Sequence, residues 1–174
     1  MSRTAPSAAL PIAQVVLRLL IVLNWFTGAA IFVLLALSPN ARWIMSAFDL
    51  APSPDTDRLI WGLRAIAFIG LCSIPLHNLF LKRLLEIVDT VGVGDAFVAA
   101  NAVRLRAMAW TLLILQCVSI VIGAIANAVS TSAHPLHLDA GFSITGWLAV
   151  LLTFLLAQVF AEGSQMREDL EGTV

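Results

Sequence analysis

Residues 81–106, LKRLLEIVDTVGVGDAFVAANAVRLR, connect two long apolar stretches of the chain. Four of the ten Lys and Arg residues lie in this segment: Lys82, Arg83, Arg104 and Arg106. Basic residues accumulate in the cytoplasmic loops of membrane proteins. The next connection, residues 129–141, contains neither Lys nor Arg. The segment is therefore predicted to face the cytoplasm, together with both ends of the chain.

The rest of the chain has the composition of a membrane protein. Of its 174 residues, 60% are hydrophobic and 12% are charged, and the mean hydropathy is +0.93. A soluble domain of this length cannot bury so much apolar surface. A helix needs about 20 apolar residues to cross a bilayer, and four stretches meet that length: about 15–37, 59–80, 108–128 and 142–160. We predict an all-α fold, a four-helix bundle forming one transmembrane domain (1–174).

The helices on either side of the central connection are predicted to continue past the bilayer. Apolar residues recur there at spacings of three and four, at Leu81, Leu84, Leu85 and Val88. Lys82 and Glu86 lie one turn apart and can pair on the polar face. Gly92 and Gly94 should end this helix, and Asp95 is placed to cap the next one. The bundle is therefore expected to carry a cytoplasmic helical hairpin between its second and third spans.

The last half of the chain contains several short motifs: Gly94-Asp95-Ala96-Phe97, Asn101-Ala102, Leu105-Arg106, Ala109-Trp110, Phe142-Ser143, Val159-Phe160, Gly163 and Glu168-Asp169-Leu170. They resemble those of a bacterial family of small four-span inner-membrane proteins of unknown function, which implies a location in a bacterial inner membrane. The family motif has proline where this chain has Ala96, and proline favours a helix start. The resemblance implies a partner, a small helix-turn-helix regulator of the Cro/C1 type that is often encoded beside the membrane protein.

We expect from this a non-enzymatic regulatory protein whose hairpin binds a cytoplasmic partner. The expected docking residues are Gly94, Asp95, Phe97, Asn101, Leu105 and Arg106. A net charge of -1 gives no reason to expect direct binding of nucleic acid. The sequence contains no paired carboxylates within a span and no Ser/His/Asp arrangement in a plausible pocket. Catalytic, cofactor-binding and metal-binding residues are therefore not predicted.

Polar residues within the spans favour a different function. An intramembrane cluster is predicted from Arg18, Asn24, His77, Asn78, Gln116 and Gln158. Such a cluster could bind a small molecule, a lipid or an ion, or transport one. Alternatively, the amide side chains hydrogen-bond between helices and determine their packing. A third alternative is a structural subunit or a homo-oligomer, with Ser119, Gly123 and Asn127 on one contact face.

Two features near the opposite membrane surface leave alternatives open. Arg64 lies about two turns inside its span, and it either extends toward the headgroups or pairs with an acid such as Asp139. His134, His137 and Asp139 are residue types that bind metals. Zinc sites usually need three or four ligands on a rigid frame, so a proline-containing loop is better explained as a polar surface.

Overall fold

The protein is described by a computed structural model covering residues 9–38, 45–46, 53–94, 96–130 and 140–171. Four long helices account for most of these residues: α1 Ala9–Leu37, α2 Pro54–Gly92, α3 Ala99–Val129 and α4 Ile144–Glu171. Each is long and apolar enough to cross a membrane. The prediction of an all-α, four-span protein is confirmed.

The helices pack in chain order, α1 on α2, α2 on α3 and α3 on α4. Gln14, near the start of α1, donates a 2.7 Å hydrogen bond to Asp89, near the end of α2. Phe97, just before α3, has its ring centroid 5.1 Å from that of Phe160 in α4. The turn of residues 93–98, the start of α1 and the end of α4 therefore lie together. We call this end of the molecule the hairpin end and the opposite one the loop end.

The second helix is longer than one crossing of a bilayer requires. The 39 residues of α2 span about 58 Å, nearly twice the thickness of a hydrocarbon core of about 30 Å. α2 ends at Gly92, and Gly94 has a φ of 92°, which glycine adopts without strain. The predicted break at these glycines is confirmed. The predicted cap is wrong, because the N-cap position of α3 is Val98; Asp95 itself lies outside the described residues.

At the loop end, Arg64 connects the first two helices. Its Nη2 donates to the backbone carbonyl oxygen of Ser38, just past the end of α1. Its guanidinium also lies 5.2 Å from the centroid of the Trp61 ring. A cation is favourable at the C-terminus of a helix, where backbone carbonyls lack partners. Arg64 therefore stabilises the end of α1; Asp139, the predicted partner, lies outside the described residues.

The apolar side chains are distributed as in a membrane protein. Buried residues of α2, α3 and α4 form one cluster near the hairpin end: Ile87, Leu105, Met108 and Ala157. Leu59 and Val129 form a second buried cluster at the loop end. Many other large apolar side chains face outward, including Phe26, which is 74% exposed, and Leu155, which is 55% exposed. Contact with lipid tails costs such side chains nothing, so an open array of helices is stable in a bilayer.

Candidate docking site at the hairpin end

Asn101 is the central residue of the hairpin. It is fully buried on the face of α3 that packs on α2. Its Nδ2 donates to the hydroxyl of Thr90 at 2.8 Å and to the carbonyl oxygen of Ala96 at 2.9 Å. Its Oδ1 accepts from Nη1 of Arg104 at 2.8 Å. One carboxamide thus connects α2, the turn and α3, and each of its hydrogen bonds is made away from competing water.

A charged cluster extends this network toward the surface. Glu86 Oε2 accepts from Arg104 Nε at 2.9 Å and from Arg83 Nη1 at 3.0 Å. Partial burial opposes the charge of Glu86, but hydrogen bonds and charges from Arg83 and Arg104 outweigh it and lower the pKa of Glu86 below its ordinary value. The predicted pair with Lys82 is replaced by these two arginines, because Arg104 reaches Glu86 from the neighbouring helix.

Phe97 packs against α4 and so holds the turn in contact with that helix. Its ring packs on Phe160 and also against Gly163, where a Cβ atom would lie 2.9 Å from Cδ1 of Phe97. A glycine is needed here because any larger residue would force the ring to move. The central motif and the C-terminal motif therefore contact each other in the fold, through Phe97 on one side and Phe160 and Gly163 on the other.

Two of the six predicted docking residues are corrected by the structure. Asn101 is 0% exposed and Leu105 is 5% exposed, so neither can contact a partner. Their side chains hold the hairpin together instead. Gly94, Phe97 and Arg106 are exposed at the surface, while Asp95 lies outside the described residues.

Sequence reasoning missed a set of exposed apolar residues at the hairpin end. Their exposed fractions are 85% for Val93, 69% for Val103, 63% for Met166 and 72% for Leu170. Phe97 is also exposed, at 46%. A groove of about 350 Å³ between α3 and α4 opens beside Val103, and its lining also includes Ala99, Ala102, Ser164 and Glu168. We call these five residues, Val93, Phe97, Val103, Met166 and Leu170, the apolar rim. Their position beyond the four apolar spans was the sequence signal that could have identified them.

The predicted intramembrane cluster is not assembled in the structure. Gln116 lies against Gly146, which is about 18 Å along α4 from Gln158. Gln158 donates instead to Glu162, one turn away, at 3.0 Å. Axial separation along α4 therefore prevents the two glutamines from sharing one site.

The other members of that predicted cluster each have separate surroundings in the structure. Asn24 of α1 donates to the carbonyl oxygen of Ile74 at 3.1 Å, beside Pro75 within α2. A ring nitrogen of His77 lies 2.9 Å from the carbonyl oxygen of Ser73 in the same helix. Arg18 is exposed, and Oδ1 of Asn78 is buried with no donor among the described residues. Asn24 thus connects two helices, in agreement with the packing alternative.

Metal ligation gains no support from the described part of the chain. There, no group of three His, Cys, Asp or Glu side chains is close enough to hold an ion. His134, His137 and Asp139 lie outside the described residues.

Comparison with known proteins places the chain in a family. The family model described as "Protein of unknown function (DUF2975)" matches residues 47–174. The match includes α2, α3 and α4, and with them the hairpin, the Asn101 network and the apolar rim. No curated protein and no solved structure matches the chain. Because the matching region covers most of its length, the chain belongs to the DUF2975 family of proteins of unknown function.

Proposed function

We propose that this protein is a non-enzymatic regulator that binds a soluble protein at its hairpin end. The hairpin end would face the cytoplasm of a bacterial cell, as the distribution of basic residues indicates. The observation that supports the proposal is the apolar rim, which presents exposed apolar side chains beside the charged residues of the hairpin end.

The location of the apolar rim favours a protein partner over the bilayer. Val103 is flanked by Arg104 and sits before the third apolar span, and Met166 is followed directly by Arg167. Charged side chains of this density are expected outside the hydrocarbon core. Contiguous apolar residues with a polar surround are typical of protein interaction sites.

The hairpin also has the rigidity that such a site needs. The Asn101 hydrogen bonds fix the register of α2 against α3, and Phe97 fixes the turn against α4. A surface that is already ordered loses little conformational entropy when a partner binds. Val93 and Phe97 lie in this turn and Val103 lies in the first turns of α3, so the network fixes the spacing of these three side chains.

A helix-turn-helix regulator of the Cro/C1 type is the partner we propose. Its class comes from the family resemblance of the central motif, and its docking would place an apolar helix face on the apolar rim. Holding such a regulator at the membrane would withdraw it from DNA. The membrane protein would then act on transcription without binding nucleic acid itself.

Co-purification tests the proposal. The regulator encoded beside the gene is co-expressed with the tagged membrane protein, and its capture is measured after extraction in mild detergent. The triple variant Val93→Ser, Val103→Ser, Met166→Ser should lose most of the captured regulator. Ile144→Ser is the matched control, because Ile144 is 78% exposed at the loop end. Equal capture by the triple variant and the native protein would reject the apolar rim as the docking site.

A further inference from the structure

A second groove lies along α4 within the membrane-spanning part of the molecule. Its volume is about 790 Å³, and its lining is almost entirely apolar, with Trp147, Leu151, Phe154 and Leu155 among the residues of its wall. Trp110 of α3 packs edge-on against Phe154, with ring centroids 5.4 Å apart. This contact makes the groove a shaped surface between two helices.

The groove ends at a basic side chain. Arg106 and Gln158 are the polar residues of its lining, and both lie toward the hairpin end. Arg104, two residues earlier, is paired with Glu86. Arg106 has no hydrogen-bond or ion-pair partner among the residues that the structure describes, and it is exposed. An arginine at the level of the headgroups that lacks an acidic partner attracts phosphate.

The groove beside the apolar rim continues from the same point. Arg106 and Ala157 line both grooves, and beyond them the groove beside the apolar rim has small and polar residues, including Ala161, Ser164 and Gln165. Glu168 also lines that groove, eleven residues after Ala157, which places it about 16 Å farther along α4. An anion at the level of Ala157 is therefore separated from this carboxylate.

We propose that the two grooves together bind one anionic phospholipid of the leaflet at the hairpin end. The phosphate contacts the guanidinium of Arg106, an acyl chain follows Phe154, Leu155 and Leu151 into the apolar groove, and the headgroup enters the polar groove near Gln165. This order of apolar, basic and polar surfaces matches the order of groups along a phospholipid. The site shares only Val103, which lines the polar groove, with the apolar rim proposed above as the partner contact, and it does not depend on that contact.

Native mass spectrometry with defined lipids tests the site. Purified protein in detergent is titrated with phosphatidylglycerol, and the fraction carrying one bound lipid is measured. Arg106→Gln should weaken this binding about fivefold, the effect of removing one basic residue near a headgroup. Lys82→Gln is the matched control, because it removes the same charge from an exposed position at the hairpin end outside both grooves. An equal loss in the two variants would mean that only overall charge matters and would overturn the proposal.

Two substitutions to tryptophan distinguish lipid binding at this site from nonspecific adhesion of lipid to the protein. Leu155→Trp should block the acyl chain and reduce binding of phosphatidylglycerol. Leu152→Trp should leave binding unchanged, because Leu152 is similarly exposed on α4 but does not line the groove. Unchanged binding in Leu155→Trp would overturn the proposal, as would equal binding of phosphatidylcholine by the native protein. Regulator capture is measured in the same variants, so that failure of the lipid site and failure of the docking proposal remain distinguishable.

Discussion

The carboxamide of Asn101 donates to the hydroxyl of Thr90 across the hairpin, with 2.8 Å between the two atoms. Thr90 in turn donates to the carbonyl oxygen of Ile87 in its own helix at 2.8 Å. The Thr90 hydroxyl therefore links Asn101 of α3 to the backbone of α2. This pair determines which faces of α2 and α3 meet near the turn. Apolar packing alone would leave the rotation of one helix against the other less defined.

Replacement of Asn101 should destabilise the hairpin strongly. Asn101→Ala removes the hydrogen bonds to the part-buried Thr90, Ala96 and Arg104, a loss of about 1–3 kcal/mol. Thermal unfolding in detergent, followed by circular dichroism, measures the change. Asn127→Ala is the control, because Asn127 is exposed in the same helix. Similar melting temperatures for the two variants would contradict the role assigned to Asn101.

Gly163 and Phe97 should show energetic coupling. Gly163→Ala places a Cβ atom 2.9 Å from the Phe97 ring, while alanine itself favours the helix by about 1 kcal/mol over glycine. The substitution should therefore stabilise a Phe97→Ala background more than the native one. Unfolding free energies of the four proteins form a double-mutant cycle, with an expected coupling of about 0.5 kcal/mol or more.

Gly70 provides the control for this cycle. A Cβ atom added at Gly70 meets nothing within 4 Å, so Gly70→Ala should have the same effect with and without Phe97. A coupling as large at Gly70 as at Gly163 would show that the effect is not contact between the ring and the new methyl group.

The charged cluster predicts a loss of stability in acid. The pKa of Glu86 is lowered in the folded protein from an ordinary value of 4.5. The carboxylate therefore stabilises the fold at pH values above 4.5, and this contribution is lost as the pH falls through the lowered pKa. Hydrogen exchange of the hairpin amides, measured between about pH 3 and 6, should show increasing local opening toward acid.

Glu86→Gln should flatten that pH dependence. Glutamine keeps the size of the side chain but carries no charge for Arg83 and Arg104 at any pH. Glu162→Gln is a control at the same end of the molecule, since Glu162 is an exposed acceptor for Gln158. If Glu86→Gln retained the native pH profile, the acid sensitivity would have to come from other carboxylates.

Helix number and the hairpin could be predicted from sequence because each depends on a local property. The length of an apolar run decides whether a helix crosses the bilayer, and two glycines mark the end of α2. The burial of Asn101 could not be predicted, since it depends on how α3 is rotated against α2. One signal was present: Thr90 and Asn101, like Glu86 and Arg104, lie on opposite sides of the same turn and can meet in an antiparallel hairpin.

The contacts of the polar residues within the spans could not be predicted from sequence for a similar reason. Gln116 and Gln158 were grouped by residue type, yet their depths depend on how α3 and α4 are staggered. Packing placed Gln116 against Gly146 and left Gln158 near the hairpin end. The role of Arg64 likewise required knowing that the end of α1 lies beside the third turn of α2. Which side chains meet between two helices depends on how the helices are staggered. The spacing of residues along one helix does not determine this stagger.

The proposed docking site requires the hairpin end to face the cytoplasm, and cysteine labelling tests this orientation. Cys72 and Cys117 are free and exposed, so they are first replaced by Ala, and single cysteines are then introduced at Val93 and Phe142. Val93 lies in the turn of the hairpin end and is 85% exposed, whereas Phe142 is 73% exposed at the loop end. In spheroplasts, an impermeant maleimide should label Phe142→Cys directly. It should label Val93→Cys only after the membrane is permeabilised. The reverse pattern would place the hairpin outside the cytoplasm, where no DNA-binding regulator could reach the apolar rim.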